Sequence, residues 1–375
     1  RDKVCGDIPA FSGESEIQHE IKVTIDLICQ SLNLPQQLAE LTDRFKDQEH
    51  VLYSIDAYRD HFFHQFHTFL LGYLIINEYG MEKILKDCEW GMDNFTIKSD
   101  RFIRTWFLAA MFHDIAYPIE KVKKWINSLL KTMINTEDNF DCIVDINQGV
   151  DAKKFSVLQK IESEIINMLP ENDIHYGILR KHFHHSQDHA QFSALMLYSE
   201  FQDIVEDKEI LMNAAVAIAC HNDIVVKIEH CFSFKDFPFG FLLTYSDLMQ
   251  EWSRLPKKGN VKYSDEMKSK RFRNVKYYDD RIEVSIVYNI DSYKKTINKH
   301  EFEKLLKSDD LDGSDEKTKE KIIVTRLITK SIRENVHKFI PYWKYTNEKR
   351  KFKSRYFIKS ENDPIIEEIN LLTEF

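Results

Sequence analysis

The 375-residue sequence predicts a mainly α protein carrying a smaller α/β part at its C-terminus, and three observations point there. There are only 10 glycines, well under the roughly 7% of average usage, and a Rossmann or all-β chain needs more of them for its turns. Aromatic residues make up 13% of the chain, with 26 Phe, which favours thick helix–helix packing. Apolar residues then recur at helical spacing over long stretches, until the periodicity switches near Pro256.

In chain order, residues 1–50 read as helical around IQHEIKVTIDLICQSL and PQQLAELTDRF, with polar flanks that suit an outer layer. Residues 51–255 read as a domain of long helices with few breakers, interrupted by a polar loop near 134–154. The run Pro256-Lys257-Lys258-Gly259-Asn260 marks a boundary. Beyond it, RIEVSIVYNI (281–290) alternates apolar and polar residues as a half-buried strand does. Helical stretches follow near 300–308 and 317–339, and SRYFIKS (354–360) reads as another strand. DDLDGSDE (309–316) has its glycine in the wrong register for a calcium loop and is expected to be an acidic turn. The expected division is therefore an N-terminal helical extension (1–50), a main helical domain (51–255) and an α/β accessory domain (256–375).

Charge divides the chain at the same place. Residues 256–375 hold 28 Lys and Arg against 21 Asp and Glu, whereas residues 1–255 hold 24 against 40. A net +7 beside a net −16 implies two regions with different tasks. The six cysteines (Cys5, Cys29, Cys88, Cys142, Cys220 and Cys231) are scattered without CxxC spacing, which fits reduced thiols and a cytoplasmic location. No stretch approaches 18 uninterrupted apolar residues, so no membrane span is expected. The chain opens on Arg1, which leaves room for a preceding segment, a targeting sequence included.

Function is legible where ionisable residues interrupt apolar helices. In RDHFFHQFHTFLLGYLII (59–76), Phe62, Phe66, Phe69, Leu70 and Tyr73 form one apolar stripe while Leu71 and Ile75 lie opposite. His64 falls on the line of Leu71 and Ile75, so its imidazole points into protein. FLAAMF (107–112) is continuously apolar and ends in His113 and Asp114. An uncompensated buried carboxylate costs several kcal/mol and must be paired or hold a cation. DHAQFSALML (188–197) opens a buried helix with His189, NAAVAIACHND (213–223) leads into His221, and FGFLLTYSDLMQEW (239–252) carries Asp247.

Each residue alone has a packing explanation, such as a histidine satisfied by a backbone carbonyl or Asp114 paired with Lys121 or Lys123. A shared metal site explains all five segments together. Four imidazoles and two carboxylates without a thiolate suit Fe, Mn, Co, Zn or Mg. Six ligands exceed the needs of one tetrahedral zinc and suffice for two ions bridged by an aspartate. Such a pair would generate a bridging hydroxide and clamp the attacking and leaving oxygens of a phosphate ester.

These residues resemble an HD-domain metal-dependent phosphohydrolase of the H…HD…H…H…D type, similar to HD-GYP domains, over roughly residues 51–255. That family's first helix carries H-x-x-R-V-x-x-L-[AG], and His64-Gln-Phe-His67-Thr68-Phe-Leu-Leu71-Gly72 fits it, with His67 and Thr68 in place of arginine and valine. His113-Asp114 matches the namesake doublet, His189-Ala-Gln-Phe-Ser193-Ala194 the H-x-x-x-[GS]-A helix, and Asp247 the final aspartate. The resemblance implies an HD-type helical bundle. It also implies two divalent ions held by His64, His113, Asp114, His189, His221 and Asp247, with Asp114 bridging. The expected activity is hydrolysis of a phosphomonoester or phosphodiester, a nucleotide above all. The GYP motif is absent, so cyclic-di-GMP is not implied, and HDIAYPIEK replaces the common HDxGK.

Lys121 is placed to reach a substrate phosphate and counts, with Asp114 and His185, as a catalytic candidate. His61, His67, His184, Arg59 and Arg254 are candidate substrate contacts, since imidazolium and guanidinium match phosphate oxygens. KSKRFRNVKYY (268–278) and KYTNEKRKFKSRYF (344–357) mix basic and aromatic residues in a way that suits nucleic acid, or equally the solvated face of an accessory domain. Two competing readings stand beside the hydrolase: a di-iron oxygenase on the same kind of site, and a non-catalytic ligand-sensing or nucleic-acid-binding module.

Overall fold

The structure is a computed structural model that describes residues 14–52, 61–88, 95–122, 125–126, 152–168, 176–179, 189–221, 234, 237–250, 252, 269–278, 281–297, 302–303, 305, 315–344, 351–360 and 367–371. It is mainly helical, with a small sheet near the C-terminus. The N-terminal pair is α1 (Glu14–Ser31) and α2 (Gln36–Leu52), which pack on each other. The body follows as α3 (Phe62–Tyr79), α4 (Met81–Asp87), α5 (Phe95–Phe112), α6 (Ala152–Met168), α7 (His189–Phe201), α8 (Lys208–Cys220) and α9 (Pro238–Met249). α8 is the centre, packed against α5, α6, α7 and α9, while α3 packs against α5 and α9.

The central position of these helices follows from their composition. α8 is buried from Ala214 through Cys220, and the second half of α5 is buried from Thr105 through Phe112. Small side chains let the axes close in. At Gly72 of α3 a Cβ atom would lie 1.9 Å from the Trp106 ring of α5, and the same indole donates to Phe69 O at 3.1 Å. The α3–α5 contact therefore needs a residue without a side chain at position 72. The stripe expected along α3 is one-sided at its end: Leu71 and Ile75 are fully buried, but Tyr73 is 43% exposed. Asp207 caps the first turn of α8, accepting from Glu209 N and Ile210 N, and Arg101 of α5 grips the same carboxylate through two nitrogens at 2.7 and 2.9 Å.

The sheet contains β1 (Lys270–Tyr278), β2 (Arg281–Asn289), β3 (Lys351–Lys359) and β4 (Glu367–Leu371) in that spatial order. β1 and β2 form an antiparallel hairpin, β2 and β3 run parallel, and β4 returns antiparallel to β3. The parallel pair needs a crossover, supplied by α10 (Ile290–Lys294) and the long α11 (Glu316–Lys344). β2 and β3 fall on the two expected strands, though β2 is not half-buried as expected, since its polar Glu283 and Ser285 are buried along with the apolar positions, and β1 and β4 are additional. β1 hides from a period-two reading because a bulge between Phe272 and Asn274 breaks its alternation. Aromatic rings of the two basic stretches serve packing: Tyr356 and Phe357 are buried, Tyr277 meets Tyr79, and Phe272 meets Trp252. Asp315 caps α11 by accepting from Thr318 N at 3.0 Å, at the end of the expected acidic turn. Among the described residues no helix is long and apolar enough to cross a membrane. The boundary run 256–260 and most of the 134–154 insert lie outside the described residues.

Candidate metal centre

Five helix ends and helix faces deliver six ionisable side chains to one place. His64 comes from the first turn of α3, His113 and Asp114 from the turn that ends α5, His189 from the start of α7, His221 from the end of α8, and Asp247 from the last turn of α9. Asp114 lies in the middle. Its Oδ1 faces His189 Nε2 at 3.2 Å and His221 Nε2 at 3.6 Å. Its Oδ2 faces His113 Nε2 at 3.5 Å and His64 Nε2 at 3.9 Å. Asp247 Oδ1 adds a second carboxylate at 2.6 Å from His64 Nε2 and 3.7 Å from His113 Nε2. Three overlapping triads have ligand atoms mutually within 4.8 Å: His64–His113–Asp114, His113–His221–Asp247 and Asp114–His189–His221. The all-helical scaffold and this cluster are compatible with an HD-type site.

Every imidazole in the set presents the same nitrogen. His113 and His221 each close a helix, and each Nδ1 donates to the carbonyl three residues back: Ala110 O at 2.9 Å and Ile218 O at 2.5 Å. Those carbonyls are among the unsatisfied acceptors at a helix C-terminus, so the capping and the ring orientation have one cause. His189 Nδ1 meets Glu120 Oε2 at 2.7 Å, and His64 Nδ1 meets Gln250 Oε1. With Nδ1 committed to its support, each Nε2 is the nitrogen turned toward the carboxylates, free to donate to them, as His64 does to Asp247 Oδ1 at 2.6 Å, or to ligate a cation held between them. Four such nitrogens around two carboxylates form a ligand set for cations. Acceptors on the far side of metal-binding imidazoles are the usual support of such sites.

The residues fit a metal by a further test. Among the described residues His113 Nε2 is completely buried with no partner at hydrogen-bond distance, the nearest polar atoms being the carboxylate oxygens of Asp114 at 3.5 Å and Asp247 at 3.7 Å. A lone pair with no donor is costly in the interior, and a cation resolves it. Without one, the cluster balances itself by protonation. Burial would raise the Asp114 carboxyl, but His113, His189 and His221 hold it well below the usual carboxylate range. Burial likewise opposes ionisation of Asp247, which His113 and His64 bring far down. For His113 burial disfavours the imidazolium, yet Asp114 and Asp247 together push its affinity for a proton above the ordinary value.

Around this centre, His61 Nε2 lies 3.9 Å from Asp114 Oδ2, and its ring packs on Tyr117 with centroids 3.9 Å apart. The Lys121 ammonium lies 4.7 Å from the centroid of that same Tyr117 ring. His67 packs beside Trp252 instead, with ring centroids 6.4 Å apart. Arg59, His184, His185 and Arg254 lie outside the described residues. The neighbourhood of the HD turn is tied down from two sides: Ser193 of α7 accepts from Ala116 N at 3.0 Å, and Gln65 of α3, with its amide oriented to suit, donates to Met111 O and accepts from Ile115 N.

Three participants escaped the sequence reading. Glu120, Tyr117 and Gln250 sit in contexts where a carboxylate, a tyrosine and an amide attract no notice. A retrospective signal exists for Gln250, which directly follows the apolar run of α9 and is completely buried. Searches against family models, curated proteins and solved structures return no match.

Proposed function

We propose that this protein is a divalent-metal-dependent phosphohydrolase of the HD type, acting on a phosphomonoester or phosphodiester, with a nucleotide as the favoured substrate class. One observation carries the reading: a central aspartate turns each oxygen toward a different pair of imidazoles, the arrangement that two ions bridged by a carboxylate require. When bound, such ions supply Lewis acidity toward a phosphoryl oxygen and an acidified water as nucleophile.

The protein's own residues hold, orient and admit. Asp114 and Asp247 provide the negative charge that keeps two cations close, and the buried His64 and His113 close the inner side. Asp247 is 23% exposed and His189 12% exposed in their side chains, which marks the side from which substrate and water would enter. His61, near Asp114 and braced by Tyr117, is placed to donate to a phosphate or leaving oxygen. Lys121, held against the Tyr117 ring, would supply positive charge near the centre. The experiment is metal analysis of protein purified without added metal, followed by a screen of phosphomonoesters and phosphodiesters. Phosphate release that disappears on chelation and in Asp114→Ala is the expected result. Full metal content with O2 consumption and no ester cleaved would replace the hydrolase with the oxygenase.

A further inference from the structure

Gln250 is fully buried one turn beyond Asp247, and both ends of its amide are engaged. Its Nε2 donates to Trp252 O at 2.6 Å, and its Oε1 meets His64 Nδ1. A backbone carbonyl only accepts, so it fixes which end of the amide faces it. The oxygen end is thereby turned to His64, so Nδ1 carries a proton and Nε2 is the nitrogen left to face Asp247 and any cation held beside it. The tautomer of one candidate ligand is thus decided by the carbonyl of Trp252.

Trp252 is in turn held by the sheet. Its indole lies against Phe272 of β1, ring centroids 5.1 Å apart and planes inclined by 34°, and is buried. On the other side of Gln250, the Tyr356 hydroxyl of β3 donates to Met249 Sδ at 3.6 Å. β1 also packs along α3, where Tyr79 meets the Tyr277 ring at 5.0 Å, and Lys83 of α4 reaches the Tyr277 hydroxyl. The arm 247–252 therefore runs from a candidate metal ligand to a residue clamped by the sheet, with the two strands touching it on either side of Gln250.

We infer that the C-terminal sheet is a working part of the metal centre: Phe272, through Trp252 and Gln250, positions His64 and so sets the affinity for the ion held by His64 and Asp247. The inference rests on the dinuclear reading above. Phe272 and Gln250 are positioning residues in it, since neither touches the ion. In the other half of the centre, His189 is supported by Glu120 and His221 by Ile218 O, neither of which belongs to the sheet. Whatever displaces β1 acts on one ion of the two.

The test is a Co2+ titration of the full chain after chelation, read by visible absorption, with helix content checked by circular dichroism. Gln250→Leu and Phe272→Ala are each expected to weaken one of the two binding steps by about tenfold or more and leave the other unchanged. The double variant is expected to be no weaker than Gln250→Leu alone, because both changes cut the same line. Additive losses, equal losses in both steps, or unchanged Co2+ binding in folded variants would overturn the inference. Should Phe272→Ala fail to fold, Phe272→Leu keeps the bulk and removes the aromatic face, with a smaller loss expected in the same step and no loss counting against it. Two Co2+ in the wild type with indifference to Phe272 sinks only this inference. Wild-type protein that binds fewer than two, or binds as many as Asp114→Ala, sinks the dinuclear reading itself.

Discussion

The two halves of the cluster use the same imidazole nitrogen and differ in what stands behind it. On one side His64 leans on a neutral amide, and Asp247 contributes a full carboxylate beside it. On the other, His189 leans on the Glu120 carboxylate, and the direct negative charge comes from Asp114 Oδ1. Both halves share the Asp114 carboxylate; the first adds Asp247 directly within the cluster, whereas the second adds Glu120 behind the His189 ring. On the dinuclear proposal, the halves should therefore hold ions with different strength and respond to different mutations.

The largest effect is expected where the halves meet. Asp114→Ala should lose both ions and all turnover, measured by elemental analysis and phosphate release; retention of either ion would separate the halves completely. Next come the changes that should affect one side. Asp247→Ala should remove the ion beside His64, and His221→Ala the ion beside His189, so each variant should retain one metal per chain. Loss of both in each case would make the cluster a single site. Smaller again is Glu120→Gln, which keeps the hydrogen bond and removes the charge. It should weaken the His189 step by about tenfold and spare the other.

Acidity should act on the halves unequally. The His113 imidazole holds its proton above the ordinary histidine value. Metal uptake must displace that proton, so affinity should decline as pH falls, beginning above the usual imidazole range. For the metal-free protein the signs are opposite for the two kinds of group. The stabilisation from His113, whose proton affinity is raised, is complete below the unfolded value and fades as pH rises through the folded one. That from Asp114 and Asp247 is complete above the unfolded carboxylate value and fades as pH falls through their depressed folded values. A thermal melt series across pH with and without metal measures both limbs, and a metal-free melting temperature that climbs steadily through the alkaline limb would contradict the sign. The smallest effect concerns scaffold alone: Gly72→Ala should cost about 1–3 kcal/mol by forcing the Trp106 ring aside, read by denaturant unfolding.

The six candidate ligands were legible because each interrupts an apolar run, and an ionisable group there needs a reason. His64 was legible by its line with Leu71 and Ile75, His113 and Asp114 by the FLAAMF run before them. The supporting groups were not, because support is a matter of three-dimensional reach. Glu120 sits on a polar helix edge and becomes informative only when α7 brings His189 to 2.7 Å from it. Gln250 depends on a carbonyl two residues away. The helical half was readable for the same reason as its ligands, strong periodicity over long helices. The sheet was half-readable: β2 alternates cleanly, whereas the bulge in β1 shifts Phe272 and Val275 out of step, and β4 has only five residues.

Crystals grown with Mn2+ and measured at a wavelength where manganese scatters anomalously would test the central claim most directly. Two anomalous peaks flanking the Asp114 carboxylate are expected, one beside His64, His113 and Asp247 and the other beside His189 and His221. Manganese found elsewhere, or an Asp114 carboxylate paired only with protonated histidines in saturating metal, would contradict it.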